Sequence, residues 1–331
     1  IRDTYADLMA AIDGADIFVS GEIVYAADSA SKKSGVPWIS TSLAPISMFS
    51  AEDPSLYMQS VLLEMAWSLP SFFHRGMLMI GGLVMKPWLA EYRKFRRELN
   101  LSEDHDPIKN DKFSPLLYLV MFSKALGKAQ SDWPKNSVQT GACFFDESES
   151  TVLDDRLAGF LENGEPPIVF TLGSAAVMDA GDFFDESAKA AKMLGRRAVL
   201  LYGRDQRVPS GLSDDVVAFE YAPYSQVFPK AACVVHQAGV GTTGQVLRAG
   251  VPHLIIPFSH DQPDNAARCR RAGVAEIIDR ESYTAETAAR ALLPILNDEK
   301  YRTNAAGLKR VVDSESGTTA ARDAIEDILR K

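Results

Sequence analysis

Cysteine, histidine and long apolar runs are scarce in this sequence. Its 331 residues include three cysteines and five histidines. The cysteines are far apart, show no metal-site spacing and leave an odd one in any pairing, so we expect reduced structural thiols, a cytoplasmic location and no metal site. No run reaches the roughly 18 apolar residues that a membrane span needs. The nearest candidate, 72–89, is interrupted by His74, Arg75 and Lys86.

An excess of positive charge is also missing. The chain has 35 Lys and Arg against 44 Asp and Glu, a net charge of −9, which argues against nucleic acid or an anionic membrane surface as a partner. A phosphate-bearing ligand must then be held by local dipoles and N–H groups. With 46% hydrophobic and 24% charged residues, the chain can fill ordinary cores, and its length suits about two domains.

One stretch, residues 231–268, organises the rest of the chain. An apolar run at 231–235 leads into a glycine-containing turn, a helical pattern up to Arg248, and a second apolar run at 253–257. This order predicts a βαβ unit. Glycines in the turn allow the backbone to approach a ligand, and the N–H groups and dipole at the helix start favour an anion. The glycines are Gly239, Gly241 and Gly244.

A dense set of polar residues, 259–265, follows the second apolar run. In an open α/β sheet, ligands bind beyond the carboxyl ends of the strands, so the glycine turn and this polar loop should lie together. A phosphate on the first and hydroxyl groups on the second describe a nucleotide sugar.

These residues resemble the signature of the nucleotide-sugar-dependent glycosyltransferases of GT-B fold, the UDP-glycosyltransferase-like family that includes the bacterial macrolide and sterol types. The matching positions keep the family's internal spacing from the first to the last. They are Tyr221-Ala222-Pro223, His236–Thr243, Ala249–Pro252, Asp261-Gln262 and Asn265.

The resemblance implies donor-binding roles at both ends of this signature. Tyr221 stands where the family stacks an aromatic ring on the base, and Ala222 where the backbone contacts the edge of the base. Asp261 and Gln262 stand where the hydroxyl groups of the sugar are bound. Asn265 belongs to the same implied donor-binding set.

The middle of the signature implies contacts to the diphosphate. Gly241, Thr242 and Thr243 stand where loop N–H and hydroxyl groups hold it, and Gly239 opens that turn. Ser174 matches the family's Gly-Ser loop, which also faces the donor.

Two positions depart from the family pattern within the implied donor site. Many members place a histidine directly on the diphosphate where this chain has Gln237, next to His236. Many also place a glutamate on the ribose hydroxyls where this chain has Gln245. Because a glutamine carries no charge at any pH, UDP and dTDP both stay open as the nucleotide.

Residues 1–41 alternate helical and apolar patterns, with strands expected at 15–20 and 36–41. The resemblance implies that they form the later part of an incomplete Rossmann-like acceptor-binding domain, and that the catalytic base lies upstream of Ile1. The family often has an aspartate where Glu22 stands, and we interpret Glu22 as a solvated loop acid.

The predicted fold is α/β with two Rossmann-like domains, the first incomplete. An acidic, small-residue stretch beginning at Asp146 suggests the boundary. We therefore expect a partial N-terminal acceptor-binding domain at 1–145 and a complete, doubly wound donor-binding domain at 146–313. Residues 314–331 should form a helix that crosses back to the first domain.

Methionine and aromatic residues are frequent between residues 44 and 88. They favour either a pliable apolar acceptor pocket or, residue by residue, helix faces packed on the sheet. The pocket interpretation predicts a lipophilic or aromatic small-molecule acceptor.

The predicted activity is transfer of a hexose from a UDP- or dTDP-sugar to an acceptor hydroxyl, with inversion and without a metal or other cofactor. One alternative is a non-catalytic nucleotide-sugar-binding protein or inactive fragment, since no base can be named in this chain. Another is a nicotinamide-dependent oxidoreductase, because Gly239–Gly244 formally fits a G-x-G-x-x-G fingerprint.

Overall fold

The computed structural model describes residues 1–57, 65–145, 153–173, 176–204 and 206–330. Its strands are β1 (Phe18–Gly21), β2 (Trp38–Ser42), β3 (Leu117–Val120), β4 (Ser137–Gln139), β5 (Ile168–Thr171), β6 (Ala198–Leu201), β7 (Val216–Phe219), β8 (Cys233–His236), β9 (His253–Ile255) and β10 (Ala275–Ile277). Its α-helices are α1 (Arg2–Ala11), α2 (Ala27–Ser34), α3 (Ser71–Met85), α4 (Ala90–Glu98), α5 (Asp155–Glu162), α6 (Phe183–Met193), α7 (Tyr224–Val227), α8 (Val240–Ala249), α9 (Gln262–Arg271), α10 (Ala285–Asn297), α11 (Glu299–Asp313) and α12 (Gly317–Leu329).

The first sheet contains β1, β2, β3 and β4 in that spatial order, and all described pairs are parallel. The second contains six parallel strands in the order β10-β9-β8-β5-β6-β7. Its chain order reads 3-2-1-4-5-6 from the β7 edge, which is the doubly wound Rossmann arrangement. The order reverses between β5 and β8, and such a switch point opens a crevice at the carboxyl ends of both strands. The predicted α/β class and parallel second sheet are therefore confirmed.

The central strands of the second sheet are buried throughout, as expected for a parallel sheet covered by helices on both faces. Every residue of β5, β6 and β8 is buried. Two apolar clusters cover the two faces. One includes Phe170 and Leu200 with residues of α6 and α10, and the other includes Val234 with residues of α5 and α8.

The last helix leaves the second sheet's side of the molecule and packs on the first sheet. Ala321 of α12 lies in one apolar cluster with Ile39 and Leu119. At the start of α12, a Cβ on Gly317 would overlap the carbonyl of Ala142. The two passages of the chain between the sheets therefore touch at a point where only a glycine fits.

The elements agree with the sequence pattern more closely in type than in bounds. The strand expected at 15–20 begins at Phe18, and the one expected at 36–41 begins at Trp38. The acidic stretch from Asp146, on which the domain boundary rested, lies outside the described residues. In the described part of the chain, no helix is both long and apolar enough to cross a membrane.

Helix α3 is apolar but is not part of a core. His74 is its one buried residue, while Phe72 is 74% exposed, and Trp88, just beyond the helix, is 78% exposed. The interpretation of these side chains as helix faces packed on the sheet is therefore wrong for most of them. Other exposed members are Met65, Phe73, Met77 and Met79. Met58 lies outside the described residues.

Two acids of the first half each have a hydrogen-bond partner, and for Glu22 this differs from expectation. Glu22 accepts a hydrogen bond from Ser47, and burial raises its pKa, so the solvated interpretation is wrong. Asp111 is paired with His105, with Nδ1–Oδ1 at 2.6 Å. The carboxylate of Asp28 lies near Asp111 and His105. It accepts a hydrogen bond from Arg96 at 2.6 Å.

Candidate functional site

A cleft of about 800 Å³ lies at the switch point of the second sheet and reaches the first sheet's side of the molecule. Thr171 and Gly173 contribute from the end of β5, and Gly241 and Thr242 contribute from the start of α8. Leu43, which follows β2, lies on the opposite side. The cleft therefore combines the carboxyl ends of strands from both sheets, where ligands bind in this architecture.

The turn between β8 and α8 is held in a fixed shape by two side chains. Ala238 has φ +69°, a left-handed conformation that costs energy for a residue with a Cβ. Its N–H donates to His236 Nδ1 at 3.1 Å, and its carbonyl accepts from Asn265 Nδ2 at 3.0 Å. The helix then begins after Gly239, whose lack of a side chain leaves the first N–H groups of α8 uncapped by the N-cap residue.

His236 supports this turn from inside the protein. Because its Nδ1 accepts from Ala238, its Nε2 carries the proton and donates to His253 Nδ1 at 3.0 Å. Both rings are fully buried, and burial lowers the pKa of each, to about 3 for His253. Both histidines are therefore neutral. His253 is the partly satisfied core histidine that its strand position suggests, with Nε2 unpartnered among described residues.

Gln237, which stands where the resemblance has a histidine on the diphosphate, is wedged between two glycines. A Cβ on Gly239 would lie 2.8 Å from its Nε2, and a Cβ on Gly173 would overlap the same atom. The side chain is buried, and its Oε1 has no partner among the described residues. The amide therefore packs under the β5 loop and stiffens the floor of the cleft.

Hydroxyl groups line the middle of the cleft. Thr171 Oγ1 lies 2.9 Å from the Tyr224 hydroxyl, which also interacts with Thr242. Burial raises the pKa of Tyr224, so the phenol stays protonated and can donate. Thr243, one residue further along α8, is fully buried, with its hydroxyl unpartnered among described residues.

The predicted polar loop after β9 becomes the first turn of a helix. His260 has φ +60°, and α9 begins at Gln262, with Pro263 in the first turn. Gln262 Oε1 accepts from the N–H groups of Phe258 and Ser259 at 2.7 and 3.1 Å. Its Oε1 atom therefore fixes the loop before the helix. Because this predicted sugar-binding residue already accepts two backbone hydrogen bonds, its amide nitrogen is the atom left to bind a ligand.

Asn265 connects the two loops of the site. Besides the Ala238 carbonyl, its Nδ2 donates to Asp261 Oδ2 at 2.7 Å. Asp261 also interacts with the N–H of Val240 at the start of α8, and its burial raises the pKa of the carboxyl group. Asn265 itself is fully buried, so it orients both loops from below rather than facing the cleft.

The outer end of the cleft combines aromatic and charged side chains. Tyr221 is 48% exposed, whereas Ala222 is buried. Glu220 and Arg204 lie next to them, and Gln245 lines the cleft from α8. A flat ring with polar edges would fit between these groups.

The structure brings most of the predicted site residues together, but in two layers. Tyr221, Ala222, Gly241, Thr242 and Gln245 line the cleft. His236, Gln237 and Asn265 are buried beneath it. Asp261 and Gln262 are not among the described residues that line the cleft. Ser174 lies outside the described residues.

Sequence reasoning missed several residues that line the cleft. Tyr224 directly follows the Tyr221-Ala222-Pro223 motif, so its position beside that motif was the available signal. Leu43, Met121 and Phe144 come from the first half of the chain. Nothing in the motif indicates them, because they reach the cleft only through the packing of the two halves.

Comparison with known proteins places this site in context. Residues 197–325 match the family "Erythromycin biosynthesis protein CIII-like, C-terminal domain". The chain is 34% identical over 217 residues to the O-mycaminosyltylonolide 6-deoxyallosyltransferase of Streptomyces fradiae, covering 64% of this chain and 50% of that protein. It is 29% identical over 196 residues to the vancomycin aglycone glucosyltransferase of Amycolatopsis orientalis, covering 59% and 47%. The chain thus spans about half the length of these curated relatives.

Solved structures show the same fold. The glycosyltransferase of kitacinnamycin superposes with a TM-score of 0.74 at 22% identity, covering 98% of this chain and 79% of that one. The calicheamicin glycosyltransferase CalG4 gives a TM-score of 0.71 at 15% identity, covering 100% and 78%. The expected GT-B fold, with two Rossmann-like units, is confirmed.

Proposed function

Because this chain has the GT-B fold and is similar to curated glycosyltransferases, we propose that it transfers a hexose from a UDP- or dTDP-sugar to a hydroxyl group of a small molecule. The observation that carries this proposal is the switch-point cleft, which the N-terminus of α8 lines, together with the N-terminus of α9, which Asn265 joins to the glycine turn. One N-terminus suits a diphosphate and the other suits sugar hydroxyls.

The proposed donor contacts combine this geometry with the roles that the resemblance implies. The N–H groups of Gly241 and Thr242 at the start of α8 would hold the diphosphate, assisted by the Thr242 hydroxyl. Tyr221 would stack on the base at the half-exposed end of the cleft. Asp261, with a carboxylate oriented by Asn265, would accept hydrogen bonds from the sugar.

In the proposed reaction, an acceptor oxygen forms a bond to the anomeric carbon while the bond from that carbon to the diphosphate oxygen breaks, with inversion. The acceptor's proton passes to a general base. The dipole and N–H groups of α8 stabilise the charge that develops on the leaving diphosphate. Because these groups are held fixed by Ala238 and its two partners, they need little rearrangement during the reaction.

A lipophilic acceptor is proposed from the other side of the cleft. Leu43 and Met121 face it from the first half, and α3 presents a broad exposed apolar surface in the same half. An exposed apolar patch of this kind commonly marks an interaction site. The surface favours an aromatic or aliphatic aglycone over a hydrophilic sugar.

The cellular location is a further proposal. All three cysteines are free thiols, which supports a reducing, cytoplasmic location. A non-catalytic nucleotide-sugar-binding protein is the second candidate, since it would need the same donor cleft. The nicotinamide-dependent oxidoreductase is not favoured, because the relatives named above are glycosyltransferases.

Calorimetric titration with UDP, dTDP and NADH, followed by a transfer assay with a lipophilic phenol, tests these proposals. We expect nucleoside diphosphate binding, no NADH binding, and release of the diphosphate when acceptor and nucleotide sugar are both present. Thr242→Val should weaken diphosphate binding about tenfold through loss of one hydrogen bond, whereas Thr303→Val, at an exposed position on α11, should not. Binding without transfer would favour the binding protein, and binding of NADH alone would contradict both.

A further inference from the structure

Helix α9 carries proposed donor-binding groups at its start and a buried arginine near its end. Arg268 is 3% exposed, and one turn earlier Asp264 is fully buried. Neither residue lines the donor cleft. Together with Asp53 they form a cluster, here called the clasp, between α9 and the segment 50–57 of the first half.

Every N–H of the Arg268 guanidinium has an acceptor. Nε donates to Asp264 Oδ2 at 2.9 Å. One terminal nitrogen donates to the Asp53 carboxylate and to the Leu126 carbonyl at 3.2 Å. The other donates to the Asp53 carbonyl and the Ser55 hydroxyl, at 3.4 and 3.3 Å. A guanidinium has five such donors in a planar fork, whereas a lysine ammonium has three.

The second oxygen of Asp264 completes the clasp. Its Oδ1 accepts from the Leu56 N–H at 2.9 Å, in a buried bond. One carboxylate therefore holds Arg268 with one oxygen and the backbone of the opposite half with the other. Leaving either partner unpaired in such a buried site is costly.

The clasped segment follows the carboxyl end of β2, through the 3₁₀ turn Pro45–Met48. It is also fixed from its own side, since Asp132 accepts from the Ala51 N–H at 2.7 Å and Trp67 Nε1 donates to the Pro54 carbonyl at 2.6 Å. Arg271 of α9 lies over the Trp67 ring at 4.4 Å. Segment 50–57 is thus held in place both by its own half and by side chains of α9.

We propose that Arg268 is a positioning residue: through the clasp it sets the position of the helix that carries Asp261 and Gln262 relative to the acceptor-side segment 50–57. This inference rests on the proposed transferase function. Two substrates bound on opposite halves react only when their atoms are aligned, and a misplacement of about 1 Å can cost about 100-fold in rate. Nucleotide binding, which uses α8 and the β5 loop, does not depend on the clasp.

The test uses Arg268→Lys and Arg268→Met, with Arg290→Met as a control that removes an exposed arginine from α10. Hydrogen exchange at the Leu56 amide reports the clasp directly. We expect at least tenfold faster exchange there in both Arg268 variants, and nucleoside diphosphate affinity within about threefold of the unmodified chain. With acceptor present, kcat should fall about 100-fold and the donor KM should change little, as misalignment predicts.

Three outcomes would overturn the inference: unchanged exchange at Leu56, a kcat equal to that of the control, or nucleotide affinity that falls in step with kcat. Should the unmodified chain transfer no sugar, the proposed function fails while the clasp stays testable. The decisive readout is then the Leu56 exchange rate, which loss of the clasp should raise at least tenfold while nucleoside diphosphate affinity stays within about threefold.

Discussion

The two halves of the molecule present opposite surfaces to the space between them. Around β8 and β9, many polar groups are buried and several are bonded to one another, and Ala238 and His260 have left-handed backbone conformations. Around α3 the surface is mostly apolar and exposed. The second half has fixed polar groups that suit one type of polar ligand, whereas the first half presents an apolar surface with few hydrogen-bonding groups. Under the proposed function, we therefore expect the donor to be tightly specified and the acceptor loosely.

The largest effect should come from breaking the polar half at its centre. Asn265→Ala removes both donors that connect the glycine turn to Asp261 and leaves the buried Ala238 carbonyl unpaired. We expect a loss of about 2–3 kcal/mol in the free energy of unfolding, measured by urea denaturation, together with weaker nucleotide binding.

Asn163→Ala is the matched control, since it removes an exposed amide bonded to one carbonyl. It should cost well under 1 kcal/mol. If both variants lose the same stability, the idea that Asn265 joins two loops is wrong.

The packing of Gln237 supplies the next test. Gly239 has ordinary helical-entry dihedrals, so Gly239→Ala is opposed only by the Gln237 amide at 2.8 Å. We expect a loss of about 1–2 kcal/mol from overpacking, partly recovered when Gln237→Ala is added.

Gly241→Ala, two residues away, meets no atom within 4 Å. It should leave stability unchanged while lowering nucleotide affinity, because Gly241 lines the cleft.

For the pair Gly239→Ala and Gln237→Ala, strictly additive losses of stability would contradict the proposed contact between the two residues.

The buried histidine pair makes the polar half sensitive to acid. Burial depresses the pKa of both His236 and His253 in the folded chain, the latter to about 3, whereas an unfolded histidine titrates near 6.5. The free energy of unfolding therefore includes a contribution from the neutral pair that is fully present above about pH 6.5. As the pH falls below that value, this contribution is lost by about 1.4 kcal/mol per pH unit for each histidine.

Urea unfolding at several pH values between 6.5 and 5 should show this slope. In His253→Gln the slope should be smaller by the contribution of one histidine, about 1.4 kcal/mol per pH unit. Between pH 7.5 and 9 the two chains should have parallel profiles. A stability that does not change between pH 6.5 and 5 would mean that the pair is not held neutral.

The smallest change in stability is expected in the apolar half. Phe72→Ser and Trp88→Ser alter side chains that are largely exposed, so the free energy of unfolding should change by less than about 0.5 kcal/mol. Affinity for a lipophilic acceptor should nevertheless fall, with nucleotide affinity unchanged. Loss of stability without loss of acceptor affinity would remove the acceptor role from this surface.

The sequence predicted the strand and helix order of the second half well because the pattern that sets it is local. Gly239–Thr243 and Asp261-Gln262 lie at strand ends, and a parallel sheet brings such ends together. Sequence patterns do not reveal which polar atoms are already used by the protein, so the buried positions of His236 and Asn265 were not foreseen. The clasp joins Asp53 to Arg268, residues distant in the chain, and only the packing of the two halves brings them into contact.

The contact between Gly317 and the Ala142 carbonyl has a consequence for motion. The chain passes between the halves twice, and both passages meet at this point. Two adjacent connections allow rotation about a single axis more readily than sliding or twisting, in the manner of a hinge. We therefore expect any rotation of one half against the other to pivot at the contact between Gly317 and Ala142.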